Sequence, residues 1–105
     1  MSFADEVYKF LKSVPKGEVT TYKALGEKLG TKAYRAVGQA LKHNPYAPDV
    51  PCHRVVRSDG TIGGFMGKTD GEEIQKKIRL LRSEGIVVEH GKIVGFPNKL
   101  CLFVE

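Results

Sequence analysis

From residue 44 to residue 69 the chain shows no helical repeat, although the segments on both sides of it do. The stretch carries Pro45, Pro48 and Pro51, then Pro51-Cys52-His53-Arg54-Val55-Val56, then the glycine-rich tract Gly60-Thr61-Ile62-Gly63-Gly64-Phe65-Met66-Gly67. Proline removes a backbone donor and breaks helices. An irregular segment this long within a small domain is usually either functional or disordered. Its valine, isoleucine and phenylalanine residues argue against disorder. It therefore reads as an ordered, functional loop.

Helical patterns flank it. Phe3, Val7, Phe10, Leu11 and Val14 repeat at helical spacing after a Ser2/Asp5 cap, and Pro15-Lys16-Gly17 stops them. Glu18-Val19-Thr20 reads as a short extended stretch. Thr21 is expected to cap a second helix bearing Ala24, Leu25 and Leu29, closed by Gly30. Thr31 is expected to cap a third, from about Lys32 to His43, which Pro45 prevents from continuing past Asn44. Helix, glycine-threonine turn, helix is a helix-turn-helix pattern. Beyond the loop, Asp70 and Glu73 form a capping box for a fourth helix with Ile74, Ile78 and Leu81, ended by Gly85. Ile86 to Glu89, His90-Gly91 and Lys92 to Val94 read as a β-hairpin, and Leu100 to Val104 as a further strand. The expected architecture is one mainly α domain over residues 1–105, winged helix-turn-helix-like, with a small β-hairpin and no N-terminal domain.

The 105 residues carry a net charge of +5, which favours a polyanionic partner. No apolar run approaches the roughly 20 residues of a membrane span, and no signal peptide is visible. Two cysteines in such a chain read as free thiols in a reducing compartment. On a helical wheel of the third helix, Ala33, Ala36, Val37, Ala40 and Leu41 share one side. Arg35, Gln39 and Lys42 lie opposite, offering groups suited to phosphates and base edges. An ordinary solvated helix face fits the same pattern. Lys23, Lys28, Lys32 and Arg57 extend the basic field or are scattered solubilising charge.

Cys52 is the candidate nucleophile, because a thiolate is the strongest nucleophile among ordinary side chains at neutral pH, and neighbouring cations or a histidine base generate it. His53 is adjacent, so on an extended backbone the two side chains point to opposite sides. A bridging water is then a better proton path than direct contact. No Cys-x-x-Cys or His-x-x-x-His spacing supports a metal site, and none is expected.

Pro51-Cys52-His53-Arg54-Val55 is similar to the signature of the O6-alkylguanine-DNA alkyltransferase family, whose members move an alkyl group from a damaged base onto that cysteine. Thr20-Thr21-Tyr22-Lys23-Ala24-Leu25 resembles the family's segment with a DNA-contacting tyrosine. Tyr34-Arg35-Ala36-Val37-Gly38 resembles its recognition helix, Asn44-Pro45 its Asn-Pro pair, and Leu80-Leu81-Arg82-Ser83-Glu84-Gly85 its leucine-rich helix end. These matches run in family order from about Phe3 to Gly85.

The resemblance implies roles. Cys52 would accept the alkyl group, His53 would act on it through water, Glu84 would orient the imidazole, and Asn44 would stabilise the turn presenting Cys52. Tyr22 would push the flanking phosphate and Arg35 would fill the space left by a flipped base, while Thr21, Gln39 and Lys42 would also contact DNA. Without the resemblance, Arg35 reads equally as a phosphate contact and Tyr22 as a half-buried aromatic. Glu84 reads on its own as a surface carboxylate, although beside the negative end of a helix that charge is unfavourable. The pocket wall would be Gly63, Gly64, Phe65, Met66 and Gly67, with Val55 and Val56 on its apolar side. The family's frequent Tyr-Ser-Gly-Gly is here Phe65-Met66-Gly67-Lys68, so side-chain hydroxyls are missing and base recognition falls on main-chain groups. The implied partner is double-stranded DNA containing O6-alkylguanine, with no cofactor, no membrane and a monomeric protein acting in the cytoplasm, at the nucleoid or in a nucleus. Two other readings stay open: a lesion-binding module with an unreactive Cys52, and a winged-helix regulator with Ile86 to Val94 as its wing.

Overall fold

The structure, a computed structural model, describes residues 2–47 and 49–101. Helix α1 (Phe3–Leu11) opens with the expected capping box, in which Ser2 Oγ accepts from Asp5 N and the Asp5 carboxylate accepts from Ser2 N. It buries Val7, Tyr8 and Leu11. Strand β1 (Thr20–Thr21) leads straight into α2 (Tyr22–Lys28), which Thr21 caps by accepting from Ala24 N at 2.9 Å. Helix α3 (Tyr34–Lys42) packs across α2 and α1 and buries Val37, Ala40 and Leu41. Gly26 permits the α2–α3 approach: a Cβ there would lie 2.6 Å from the Tyr34 ring. Tyr8 locks α1 to α3 by donating its hydroxyl proton to the Ala40 carbonyl at 2.7 Å.

Two expected caps do not form. Helix α3 begins at Tyr34 rather than about Lys32, and its N-cap Ala33 has no side-chain acceptor. Thr31 spends its hydroxyl on Ala33 N, forming a local turn in place of a cap. Helix α4 (Glu72–Ser83) starts after Gly71, so the Asp70/Glu73 box stands one residue out of register and makes no capping bond. Glu72 and Glu73 still place negative charge at the positive helix end.

After α3 the chain passes through a 3-10 turn (Cys52–Arg54) into β2 (Val55–Val56). Strands β1 and β2 pair in parallel, Thr20 with Val55 and Thr21 with Val56. This pairing sets the start of α2 beside the cysteine segment. The hairpin appears as β3 (Val88–Glu89) and β4 (Lys92–Ile93), and a short helix, α5 (Phe96–Lys99), follows it. Of the strand expected from Leu100 to Val104, Leu100 forms one parallel bridge with Val19; residues 102–104 lie outside the described residues.

Two apolar clusters support this frame. One joins Val7, Leu11, Val14, Leu25, Val37, Leu41, Cys52 and Val55 under α1, α2 and α3. The other joins Val19, Val56, Ile62, Leu81, Ile86, Val88 and Ile93 under α4 and the hairpin. Alternation along β2 sends Val55 to the first and Val56 to the second. The cysteine turn therefore sits at the seam between them. Among the described residues no helix is long and apolar enough to cross a membrane.

Candidate active site

Cys52 opens the 3-10 turn and lines a cavity of about 290 Å³. Tyr22 from the start of α2, Gln39 and Lys42 from α3, and Gly64, Phe65, Met66 and Gly67 from the glycine-rich tract line it as well. Cys52 is 5% exposed, and Met66 Sδ lies 3.8 Å from its Sγ. Burial pushes the Cys52 thiol up, while a hydrogen bond from Asn44 and the charge of Lys77 pull the other way without cancelling it. The resting group is a thiol that needs a base.

The candidate base is His53, but the backbone carrying it is a turn and not the extended stretch expected. A 3-10 turn has about three residues per revolution, so neighbouring side chains still diverge, here by roughly 120°. Cys52 faces the cavity while His53 Nε2 meets Glu84 Oε2 at 3.0 Å. An ionised carboxylate only accepts, so Nε2 carries the hydrogen and Nδ1 keeps the lone pair. Burial holds the imidazole below its usual value, and Glu84 offsets that only in part. His53 is thus neutral, with an acceptor nitrogen.

Glu84 is no surface carboxylate, for its side chain is only 7% exposed. Arg54 grips it with Nε to Oε1 at 2.9 Å and Nη2 to Oε2 at 2.6 Å, while Nη1 donates to the Val14 carbonyl at 2.7 Å. Burial pushes Glu84 up, but hydrogen bonds from Arg54 and His53 outweigh it and hold the carboxyl below its usual range. Asn44 donates Nδ2 to Val50 O and accepts from Tyr46 N, both at 2.9 Å, which closes the loop leading to Pro51-Cys52.

The glycine-rich tract turns back on itself at Phe65 and Lys68, which exchange both backbone hydrogen bonds, at 2.8 and 2.9 Å. Between them Met66 and Gly67 hold φ of 52° and 82°, the pattern of a two-residue hairpin turn. A second cavity of about 390 Å³ lies beyond Phe65 and Met66, lined by His53, Ala47, Leu80, Lys68, Glu73 and Lys76.

Some expected residues sit elsewhere. Val55 does not line the cavity at Cys52: it is fully buried in the first core, because β2 pairs with β1 and turns it inward. Val56 is likewise buried, in the second core. Gly63 is also outside the lining and lies against Arg57 and the Tyr22 hydroxyl. Thr21 is 5% exposed with its hydroxyl committed to the α2 cap, leaving little of it to meet a ligand. Arg35 is exposed on α3, on the helix that supplies Gln39 and Lys42 to the cavity.

Two site residues escape the sequence reading. Arg54 stands in the motif without a role of its own. Lys77 is fully buried, and its ammonium donates to the carbonyls of Val55 (2.8 Å), Gly64 (2.9 Å) and Ile62. It thereby ties β2 to the tract that walls the cavity. Burial pushes it down to about 7. The available signal was a lysine on the apolar stripe of α4, between Ile74, Ile78 and Leu81.

Residues 2–86 match the family model for the DNA-binding domain of 6-O-methylguanine DNA methyltransferase. The chain belongs to this family. It is 43% identical over 77 residues to a methylated-DNA–protein-cysteine methyltransferase of Methanosarcina barkeri, covering 72% of this chain and 49% of that protein. The fold is similar to that of Mycobacterium tuberculosis OGT crystallised with DNA, with a TM-score of 0.70 and 39% identity, over 80% of this chain and 50% of that one. It is also similar to S. pombe Atl1 in complex with damaged DNA containing O6-carboxymethylguanine, with a TM-score of 0.79 and 31% identity, over 94% of both chains. The chain spans about half the length, or less, of the curated methyltransferase-family relatives it matches.

Proposed function

We propose that this chain repairs double-stranded DNA by moving the alkyl group of an O6-alkylguanine onto Cys52. The observation that carries the reading is a buried thiol facing a cavity beside α3, flanked in sequence by a neutral histidine whose Nε2 is bonded to Glu84. A base within a duplex is out of reach of a side chain, so the nucleotide must rotate out, at a cost of a few kcal/mol. Arg35 on the exposed face of α3 would fill the vacated stack, and Tyr22 would act on the flanking phosphate. Gln39 and Lys42 at the cavity rim would add polar and phosphate contacts.

In this reading the thiol proton passes through a water to His53 Nδ1, whose charge Glu84 stabilises through Nε2. Sγ attacks the saturated carbon, a C–S bond forms, and the C–O6 bond breaks as its electron pair returns to guanine, which takes up a proton. The thioether product resists water, so one protein molecule, acting as a monomer, serves one lesion. No step calls for a cofactor. The protein would work wherever the cell keeps its DNA, at the nucleoid or in a nucleus.

The test is mass spectrometry after incubation with duplex DNA carrying labelled O6-methylguanine. The expected result is the labelled methyl group on the Cys52 peptide, and its loss in Cys52→Ser. Tight binding to the lesion without any label would overturn repair in favour of lesion sensing; Atl1, similar over 94% of both chains, is crystallised with damaged DNA.

A further inference from the structure

We infer that Arg54 is a positioning residue that keeps His53 in its proton-accepting form by occupying both oxygens of Glu84. The inference rests on the repair reading for its purpose, though not for its geometry. A carboxylate within hydrogen-bond distance of a buried imidazole favours the imidazolium. An imidazolium has no lone pair to take a proton from Cys52. A His–Glu pair alone would therefore tend to disarm the base it orients.

The arrangement around Glu84 counters this. Arg54 meets the carboxylate edge-on through Nε and Nη2, a two-point grip that a guanidinium fits and an ammonium does not. Its third contact, Nη1 to the Val14 carbonyl at 2.7 Å, fixes the guanidinium from the segment that follows α1. Glu84 thus keeps its orienting bond to Nε2 while its charge is answered from the opposite side. Other charges also face His53: Lys77 from α4, and Lys68, Glu73 and Lys76 around the second cavity. Among the described residues the side chains bonded to Glu84 are those of His53 and Arg54. Consistent with that balance, burial rather than Glu84 dominates the imidazole, with Arg54 and Lys77 acting in the same direction as burial.

Nitrogen-detected NMR titration of the His53 ring in the intact protein tests this. In Arg54→Gln the midpoint should rise by about one unit, equivalent to about tenfold in protonation. Arg54→Lys, keeping charge but not the two-point grip, should rise less, and Arg54→Gln should have a smaller upward effect in a Glu84→Gln background, where only its direct repulsion of the imidazole is lost. Alkyl transfer by Arg54→Gln should fall by up to about tenfold at acid pH, below both midpoints, and recover as pH is raised past the new midpoint. A midpoint that does not move, or a rate lowered by one factor at every pH, would overturn the inference and leave Arg54 a structural brace. Should Arg54→Gln fail to fold by circular dichroism, the Arg54→Lys midpoint decides on the same terms. A shifted midpoint in a protein that never takes label from O6-methylguanine would overturn the repair reading and leave the role of Arg54 standing.

Discussion

Met66 holds φ at 52°, in the left-handed region, and its thioether lies 3.8 Å from the Cys52 sulfur. For a residue with a Cβ this conformation costs about 1–2 kcal/mol, and such strain concentrates at functional sites. The hairpin turn with Gly67 imposes it, and the result is a flexible apolar side chain laid over the candidate nucleophile. Met66→Gly relieves the strain and uncovers Sγ. A several-fold faster reaction of Cys52 with a small alkylating reagent is expected, read by mass spectrometry against time; an unchanged rate would show that Met66 does not screen the thiol. At this scale much was visible in the sequence. Cys52, His53 and Glu84 could be named from motif and order, and the departure at Phe65-Met66 could be marked. The bidentate grip of Arg54 and the carbonyl clasp of Lys77 could not, because each joins residues 13 or more positions apart.

Among the elements, Thr21 does double duty. It is the last residue of β1 and the N-cap of α2, so one residue fixes both the parallel pairing with Val56 and the entry angle of the helix that starts with Tyr22. Thr21→Ala removes the acceptor for Ala24 N and should lower unfolding free energy by about 1 kcal/mol, measured by urea denaturation. A loss well under half of that would mean that β1 pairing, and not the cap, sets the start of α2. The caps of α1 and α2 were legible because their acceptor stands at the true N-cap position. Those of α3 and α4 were misplaced because Thr31 bonds within its own turn and Gly71 takes the position Asp70 would have needed. Local preference proposes a start, and packing against the neighbouring element chooses it.

For the whole molecule, the site writes its own pH dependence. His53 is held below its usual value of 6.5, so between its folded value and 6.5 the unfolded chain binds more protons and acid favours unfolding. Glu84, held below 4.5, adds a second loss as pH falls through its folded value. Urea denaturation should therefore give lower unfolding free energy at pH 5 than at pH 7, and a steeper fall below pH 4.5. His53→Gln should flatten the first limb and Glu84→Gln the second; a profile level from pH 7 to pH 4 would contradict the burial of His53 and the hydrogen bonds that hold the Glu84 carboxylate. Sequence alone determined the mainly α class, the helix-turn-helix, the hairpin and the order of the site's motifs, since these follow from local periodicity and from short runs of residues. It could not supply the parallel pairing of Thr20–Thr21 with Val55–Val56, the burial of Val55 away from the cavity, or the meeting of the cysteine turn with the end of α4. Those contacts bridge about 30 or more positions of chain. Only burial of the two apolar clusters on either side of β2 draws them together, and that burial is a property of the folded whole.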